Sequence, residues 1–272
     1  MKLNFALNHM AAPARGFAAF ARLARDLGVT EVEIRNDLPG VAMQDGTSPA
    51  TIRDAAKAAG VRILTINALQ RFEDFDDSRA REAETLAAYA QACGAEALVM
   101  CPTNDRNDRR SQAQRDDDLH RALTALRPIL AAHGVKGLVE PLGFEECALR
   151  LKRTAVDAID ATGGADVFLV LHDTFHHFLA GETEFFPHRT GLVHISGVTD
   201  RSVAHADIRD AHRVLVDADD LMDNVGQIRT LLQDGYSGPF SFEPFSEEVR
   251  RLPDLAAALR MSMTVVEQGV TA

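Results

Sequence analysis

The 272-residue chain has no apolar run approaching the roughly 18 residues that a membrane span requires. It opens on the strand-like stretch LNFAL rather than on the apolar core of a secretory leader, so export is not expected. Cysteine is scarce: Cys93, Cys101 and Cys147 are odd in number and form no CxxC pair. A disulfide scaffold or a thiolate zinc site is therefore not expected, and a reducing cytoplasm is the simplest setting. Basic residues are outnumbered by acidic ones, 29 to 40, and the net charge of −11 argues against nucleic acid or an anionic membrane as the main partner. It leaves a cation-assisted site open. No GxGxxG turn follows the first apolar run, which weakens a dinucleotide-binding reading. Low-complexity tracts and linker-like stretches are also lacking, so 1–272 reads as one domain.

What is present is a pattern repeated along the whole length. A short β-branched or apolar run ends in a polar residue, a loop follows, and then an Ala/Leu/Arg-rich amphipathic stretch. The apolar runs lie at 3–7, 32–34, 61–66, 97–100, 136–139, 167–173, 191–193 and 239–242. Pro13 is expected to open the first helix, with Gly28 closing it; Ser48-Pro49 is expected to cap and start the second, which runs to Gly60. Further helices are read at 78–93, up to 133, at 148–162, 220–233 and 254–267. Alternating strands and helices imply parallel strands with helical crossovers. Eight such units predict an α/β fold, a single (β/α)8 TIM barrel.

The stretch 167–177, VFLVLHDTFHH, concentrates the chemistry: a buried-strand pattern breaks off into His172, Asp173, Thr174, His176 and His177. Across all units the terminal polar residues are Asn8 or His9, Glu33, Asn67, Cys101, Glu140, Asp173, His194 and Glu243. In a parallel barrel they ring the face where barrel enzymes keep their chemistry. Glu140, Asp173, His194 and Glu243 fall on consecutive strands, and three carboxylates beside an imidazole repel one another unless a cation shields them. Mixed oxygen and nitrogen ligands suit Mn²⁺, Co²⁺, Zn²⁺ or Mg²⁺. Each residue alone has a plainer reading: Asp173 fits a cap for the following turn, His194 a core histidine, and either glutamate a helix cap or solvated loop residue. His172 points to the opposite side of its strand from Asp173 and reads as structural. His176 can reach back over the site, and His177 is expected at the surface. Cys101 reads as a small buried side chain, 105–110 as a solvated loop with a lid as the alternative, and Met261 and Met263 as packing residues.

Several motifs together resemble the xylose-isomerase-like sugar isomerase and epimerase superfamily, and within it the inosose (2-keto-myo-inositol) isomerase branch. They are EIRNDL, INALQRF, VEPLGF, LHDTFHH, DAHRVLVD and FSFEPF, in that order along nearly the full length. The resemblance implies one divalent metal ion held by Glu140, Asp173, His194 and Glu243, with Glu140 and Glu243 as the catalytic proton-transferring pair. It implies that His176 and Arg213 contact substrate oxygens, and that Glu33, Arg35 and Asn67 line the pocket. The implied partner is a small-molecule keto-sugar or keto-inositol. A ketose 3-epimerase, a hydroxypyruvate-type isomerase and an inosose dehydratase are alternatives on the same scaffold, and a non-catalytic sugar-binding barrel is a further one. A metal-dependent endonuclease on this barrel needs more histidine ligands and a basic surface, which this acidic chain does not offer. Superfamily analogy suggests a homo-oligomer, a dimer or tetramer.

Overall fold

In the computed structural model, which describes residues 2–38, 40 and 45–271, eight parallel strands close into a barrel in chain order. They are β1 (Phe5–Asn8), β2 (Glu31–Arg35), β3 (Arg62–Gln70), β4 (Ala97–Cys101), β5 (Lys136–Val139), β6 (Phe168–Asp173), β7 (Thr190–Ile195) and β8 (Phe240–Phe242). β8 pairs back onto β1, so the sheet has no free edge. The crossovers carry α1 (Phe17–Asp26), α2 (Pro49–Ala59), α3 (Asp77–Cys93), α4 (Gln112–His133), α5 (Lys152–Ala161), α6 (Thr174–Ala180) and α7 (Asn224–Gln233). A short α8 (Glu247–Arg250) and a long α9 (Leu255–Thr271) follow β8. Among the described residues no helix is long and apolar enough to cross a membrane.

Local chemistry sets many of the boundaries. The Ser48 hydroxyl accepts the Thr51 N–H with Pro49 in the first turn, and Gly60 takes φ +70° to end α2. Ser111 and Gln114 form a reciprocal capping box at the start of α4. Pro13 does not open α1: residues 12–15 form a turn, and the helix begins after Gly16. α5 starts four residues later than expected because the Ala148 N–H is already bonded to Thr103 O, and Leu149 O accepts the Leu142 N–H.

The strands read as continuous apolar runs because both faces are buried. Ala6, Leu64, Val99, Leu138, Leu171 and Leu192 fill the barrel interior. Alternate residues such as Val32, Ile66, Val170, Val193 and Phe242 face outward onto Phe20, Leu86, Leu126, Ile159 and Leu259 of the helical layer. Met263 packs there, but Met261 is 70% exposed and is not a packing residue.

His172 faces outward from β6, where its Nε2 meets Gln227 Oε1 at 3.0 Å. His177, expected at the surface, is buried: α6 begins directly at Thr174 and turns the ring back so that Nδ1 meets Lys152 Nζ at 2.7 Å. Burial and the Lys152 charge lower its pKa to about 3. His9 stacks on Phe20 at 4.4 Å and meets Arg15 O at 2.7 Å. Burial lowers its pKa to about 4, the Arg15 carbonyl opposing. Both rings ionise near 6.5 once unfolded, so below that pH the unfolded chain binds more protons. Their contribution is complete above pH ~6.5 and is lost as pH falls toward 4 and 3. His9→Gln should therefore flatten the dependence of unfolding free energy on pH between 5 and 6, by up to about 1.4 kcal/mol per pH unit. Urea unfolding at several pH values measures this, and an unchanged slope would show that His9 ionises within the fold.

Candidate metal centre

Strand parity carries four side chains to one point. Leu138 and Glu140, Leu171 and Asp173, Leu192 and His194, and Ser241 and Glu243 are each two residues apart, so the second of each pair lies above an inward-facing residue. The register sets Asp173 beside His194, and His194 beside Ser241. Glu140 N–H and Glu243 N–H continue the ladder to Met100 O and Ile195 O, and Pro141 and Pro244, which have no N–H, stop it there. One ligand atom from each of Glu140, Asp173, His194 and Glu243 lies within 4.8 Å of the other three, and all four residues are buried.

The orientation of His194 is fixed from behind. Its Nε2 lies 3.0 Å from Glu33 Oε2. Glu33 has no exposure and also accepts from Asn8 Nδ2 at 3.3 Å, Thr65 Oγ1 at 2.7 Å, Asn67 Nδ2 at 3.0 Å and Ser241 Oγ. Burial disfavours its charge, but the His194 ring and the Ser241 hydroxyl hold it below the usual carboxylate range. With Nε2–H committed to Glu33, Nδ1 turns toward Glu243 Oε2 at 3.1 Å, Glu140 Oε1 at 3.3 Å and Asp173 Oδ2 at 3.8 Å. None of these contacts has hydrogen-bond geometry, so Nδ1 is an orphaned buried atom facing three acceptors. Burial opposes a charge on the ring, yet Glu243 and Glu33 raise its pKa well above 6.5. The site thus demands a positive charge, and three carboxylate oxygens with one imidazole nitrogen suit a hard or borderline divalent cation.

Arg213 supplies the other buried charge. Its Nη2 donates to Asp173 Oδ2 at 2.6 Å and Glu243 Oε2 at 3.0 Å, and its Nε to Ser196 Oγ at 3.0 Å. Phe175 and Phe245 flank the guanidinium at 4.8 and 4.7 Å. The segment is pinned by reciprocal 2.8 Å bonds between Gly197 and Val214, where a side chain at Gly197 would strike Leu215 O. Glu243 is held well below the usual range: burial opposes this, and His194, Arg213 and Arg35 prevail.

Above the quartet opens a cavity of about 370 Å³, whose wall includes Glu140, Glu243, Arg35, Asn67, His176 and Arg213. His176 stands edge-on to Phe144 and Phe175. Glu33 does not line this cavity, contrary to the sequence reading: β2 runs on to Arg35, so Arg35 reaches the wall and Glu33 lies one layer below. Cys101 is buried as expected, but its Sγ also donates to Glu140 Oε2 at 3.3 Å. Sequence reasoning missed Gln70, Thr103, Asn104, Asp105, Phe144 and Asp210 in the wall. Strand parity could not find Gln70, because a register shift between Ile66 and Leu69 breaks the alternation. The run 105–110 is not simply solvated, since Arg110 reaches the buried Glu73 at 3.0 Å, which in turn holds Thr103 N.

A family model described as xylose isomerase-like TIM barrel matches residues 21–265. A solved xylose isomerase domain-containing protein from Salmonella typhimurium LT2 shares 33% identity and a TM-score of 0.87, over 100% of this chain and 97% of that one. The IolI protein with a bound zinc atom superposes at TM-score 0.85 with 18% identity, over 100% and 98% of the two chains. D-psicose 3-epimerase from Clostridium cellulolyticum H10, with D-tagatose, does so at 0.74 with 15% identity, over 98% and 99%. The last two testify to a shared fold. The curated proteins contain no match.

Glu33→Gln should leave the barrel folded and weaken divalent-metal affinity by about 10–100-fold, because it loosens the support of the His194 ring. Competition against a chelator measures this, and wild-type affinity would remove Glu33 from that role. At Gly143, a Cβ would lie 2.2 Å from the His176 carbonyl oxygen. Gly143→Ala should destabilise the fold by about 1–3 kcal/mol, read by urea unfolding, and a neutral change would show that α6 can yield there.

Proposed function

As the chain belongs to the xylose isomerase-like TIM barrel family, we propose that it is a divalent-metal-dependent isomerase of a keto-polyol, with 2-keto-myo-inositol as the favoured substrate. The observation that carries this reading is the buried quartet Glu140, Asp173, His194 and Glu243 beneath a small polar cavity. Mn²⁺, Co²⁺, Zn²⁺ and Mg²⁺ suit the donor set. When bound, the metal supplies Lewis acidity to a ketone oxygen and the neighbouring hydroxyl.

The chain's own groups do the rest. The carbon-bound proton next to the ketone becomes acidic, and the carboxylates of Glu140 and Glu243 are the bases beside it. Such general acid–base assistance is typically worth about 10²–10⁴-fold. Arg213 holds a substrate oxygen as its charge grows. His176 orients a hydroxyl, and Arg35 and Asn67 read the polyol from the opposite wall.

Charge supports an uncharged substrate. The wall guanidiniums of Arg35, Arg71 and Arg213 already hold Asp37 and Glu243, Asp74, and Asp173 and Glu243 respectively. At the site the buried acids Glu33, Glu140, Asp173 and Glu243 carry four negative charges, which Arg35, Arg213 and a dication would balance. That favours a neutral polyol over the carboxylate of a hydroxypyruvate-type substrate.

Incubation in D₂O should show deuterium entering the carbon next to the ketone of a keto-inositol, with metal present and not after chelation. A panel of inososes and ketohexoses followed by NMR separates the related reactions: a ketose 3-epimerase inverts one carbon, and a dehydratase releases water. No metal-dependent exchange with any member of the panel would sink the isomerase reading.

A further inference from the structure

The cavity wall divides into polar side chains that the protein already engages and side chains that it leaves free. Arg35, Arg71 and Arg213 hold carboxylates, and Asn67 Nδ2 is spent on Glu33 and Thr65. Asp105 accepts the Asn107 N–H, and Asp210 meets Arg213. Gln70, Thr103 and Asn104 are different. Among the described residues, the buried Thr103 hydroxyl has no hydrogen-bond partner, and the carboxamides of Gln70 and Asn104 have none within the protein. All three line the cavity from the end of β3 and the loop after β4, across from the quartet.

The backbone beneath them is clamped. Glu73, itself buried, accepts the Thr103 N–H on both carboxylate oxygens, at 3.2 and 3.0 Å, and is held by Arg110 Nη2 at 3.0 Å. Arg110 is braced in turn by Asp108 and Asp118. The Thr103 carbonyl accepts the Ala148 N–H at 2.8 Å, and the Asn104 backbone pairs with Cys147. A backbone fixed from both sides presents these side chains at set positions with their hydrogen-bonding capacity unspent. A buried hydroxyl left unpaired costs free energy, which a ligand group in the cavity recovers.

Resting on the keto-polyol isomerase reading, we infer that Gln70, Thr103 and Asn104 read substrate hydroxyls remote from the ketone, and that Glu73 is the positioning residue that holds them in place. The chemistry of the three groups sets the class of ligand. A carboxamide and a hydroxyl both donate and accept, as an alcohol does, and neither carries charge. They match hydroxyls better than a phosphate or a carboxylate, whose favoured partner is a guanidinium fork. A substrate with its ketone and neighbouring hydroxyl at the quartet reaches this wall only if further hydroxyl-bearing carbons cross the cavity of about 370 Å³. The wall therefore selects a ring or long-chain polyol over a short ketone. Its contacts supply binding to the unreacting part of the substrate and take no part in moving protons.

The test uses the full, metal-loaded chain and its Gln70→Ala, Asn104→Ala and Thr103→Val variants. Gln70 and Asn104 are exposed, so their alanine variants keep the core intact even if Thr103→Val does not fold. Calorimetric titration with myo-inositol, which has the hydroxyls but no ketone, needs no turnover. Each variant should bind about 3–10-fold more weakly than wild type, the loss of one neutral hydrogen bond. No binding by the wild type, or wild-type affinity in both Gln70→Ala and Asn104→Ala, overturns the proposal. Glu73→Ala, or Arg110→Met if that chain does not fold, should weaken binding as well and quicken hydrogen exchange at the Thr103 amide. Faster exchange with wild-type affinity overturns the role of Glu73. Turnover gives a second readout, with hydroxyacetone as the comparison because it keeps only a ketone and its neighbouring hydroxyl. The ratio of kcat/KM for 2-keto-myo-inositol to that for hydroxyacetone should fall about 3–10-fold in each variant, through KM rather than kcat. An unchanged ratio overturns the wall. If no keto-polyol reacts while the variants still weaken myo-inositol binding, the isomerase reading falls and the hydroxyl-reading wall stands.

Discussion

The hydrogen bond between Glu33 and His194 is the constraint on which the site depends. A carboxylate without solvent contact survives only with its lone pairs engaged, and Glu33 engages donors from β1, β3, β7 and β8 around its own position on β2. One bond therefore does two things. It neutralises a charge on the barrel axis, and it commits Nε2 of His194 so that Nδ1 must point upward among Glu140, Asp173 and Glu243. Without Glu33 the ring could rotate, and the three carboxylates above would lose the nitrogen around which they converge.

Asp173 shows how one side chain can serve the local fold and the site together. Its Oδ1 accepts the N–H groups of Phe175 and His176, the cap that its place before Thr174 suggests. Its Oδ2 faces the quartet and Arg213. The carboxylate that Asp173 lends to the quartet thus also sets where α6 begins, and through it where His176 stands over the cavity. Arg213 couples the remaining loops: its carbonyl accepts the N–H groups of Phe245 and Ser246, so the segments after β7 and β8 are fixed relative to each other.

The barrel and the quartet were legible in the sequence for one physical reason. In a sheet buried on both faces, an apolar run marks the strand, and the first charged residue at its carboxyl end marks the inward position where the core stops. Glu140, Asp173, His194 and Glu243 obey that rule. Glu33 misleads because its strand runs two residues further, which turns an apparent rim residue into a buried one. His177 misleads because polar character says nothing of a partner such as Lys152, distant in sequence. Gln70 lies beyond a register shift, and Thr103 and Asn104 sit in a loop whose path depends on Glu73 and Arg110, contacts that no local pattern encodes.

The four convergent residues come from β5 to β8, whereas Gln70, Arg71, Thr103 and Asn104 enter the cavity from β3, β4 and the loops that follow them. The quartet and much of the wall facing it therefore occupy opposite halves of the ring. Drift at Gln70, Arg71, Thr103 and Asn104, none of which bonds to the quartet, can redraw the outline of the cavity without moving a charged group of the quartet. Such a division would let the charged centre be kept while loop replacement alone refits the cavity above it.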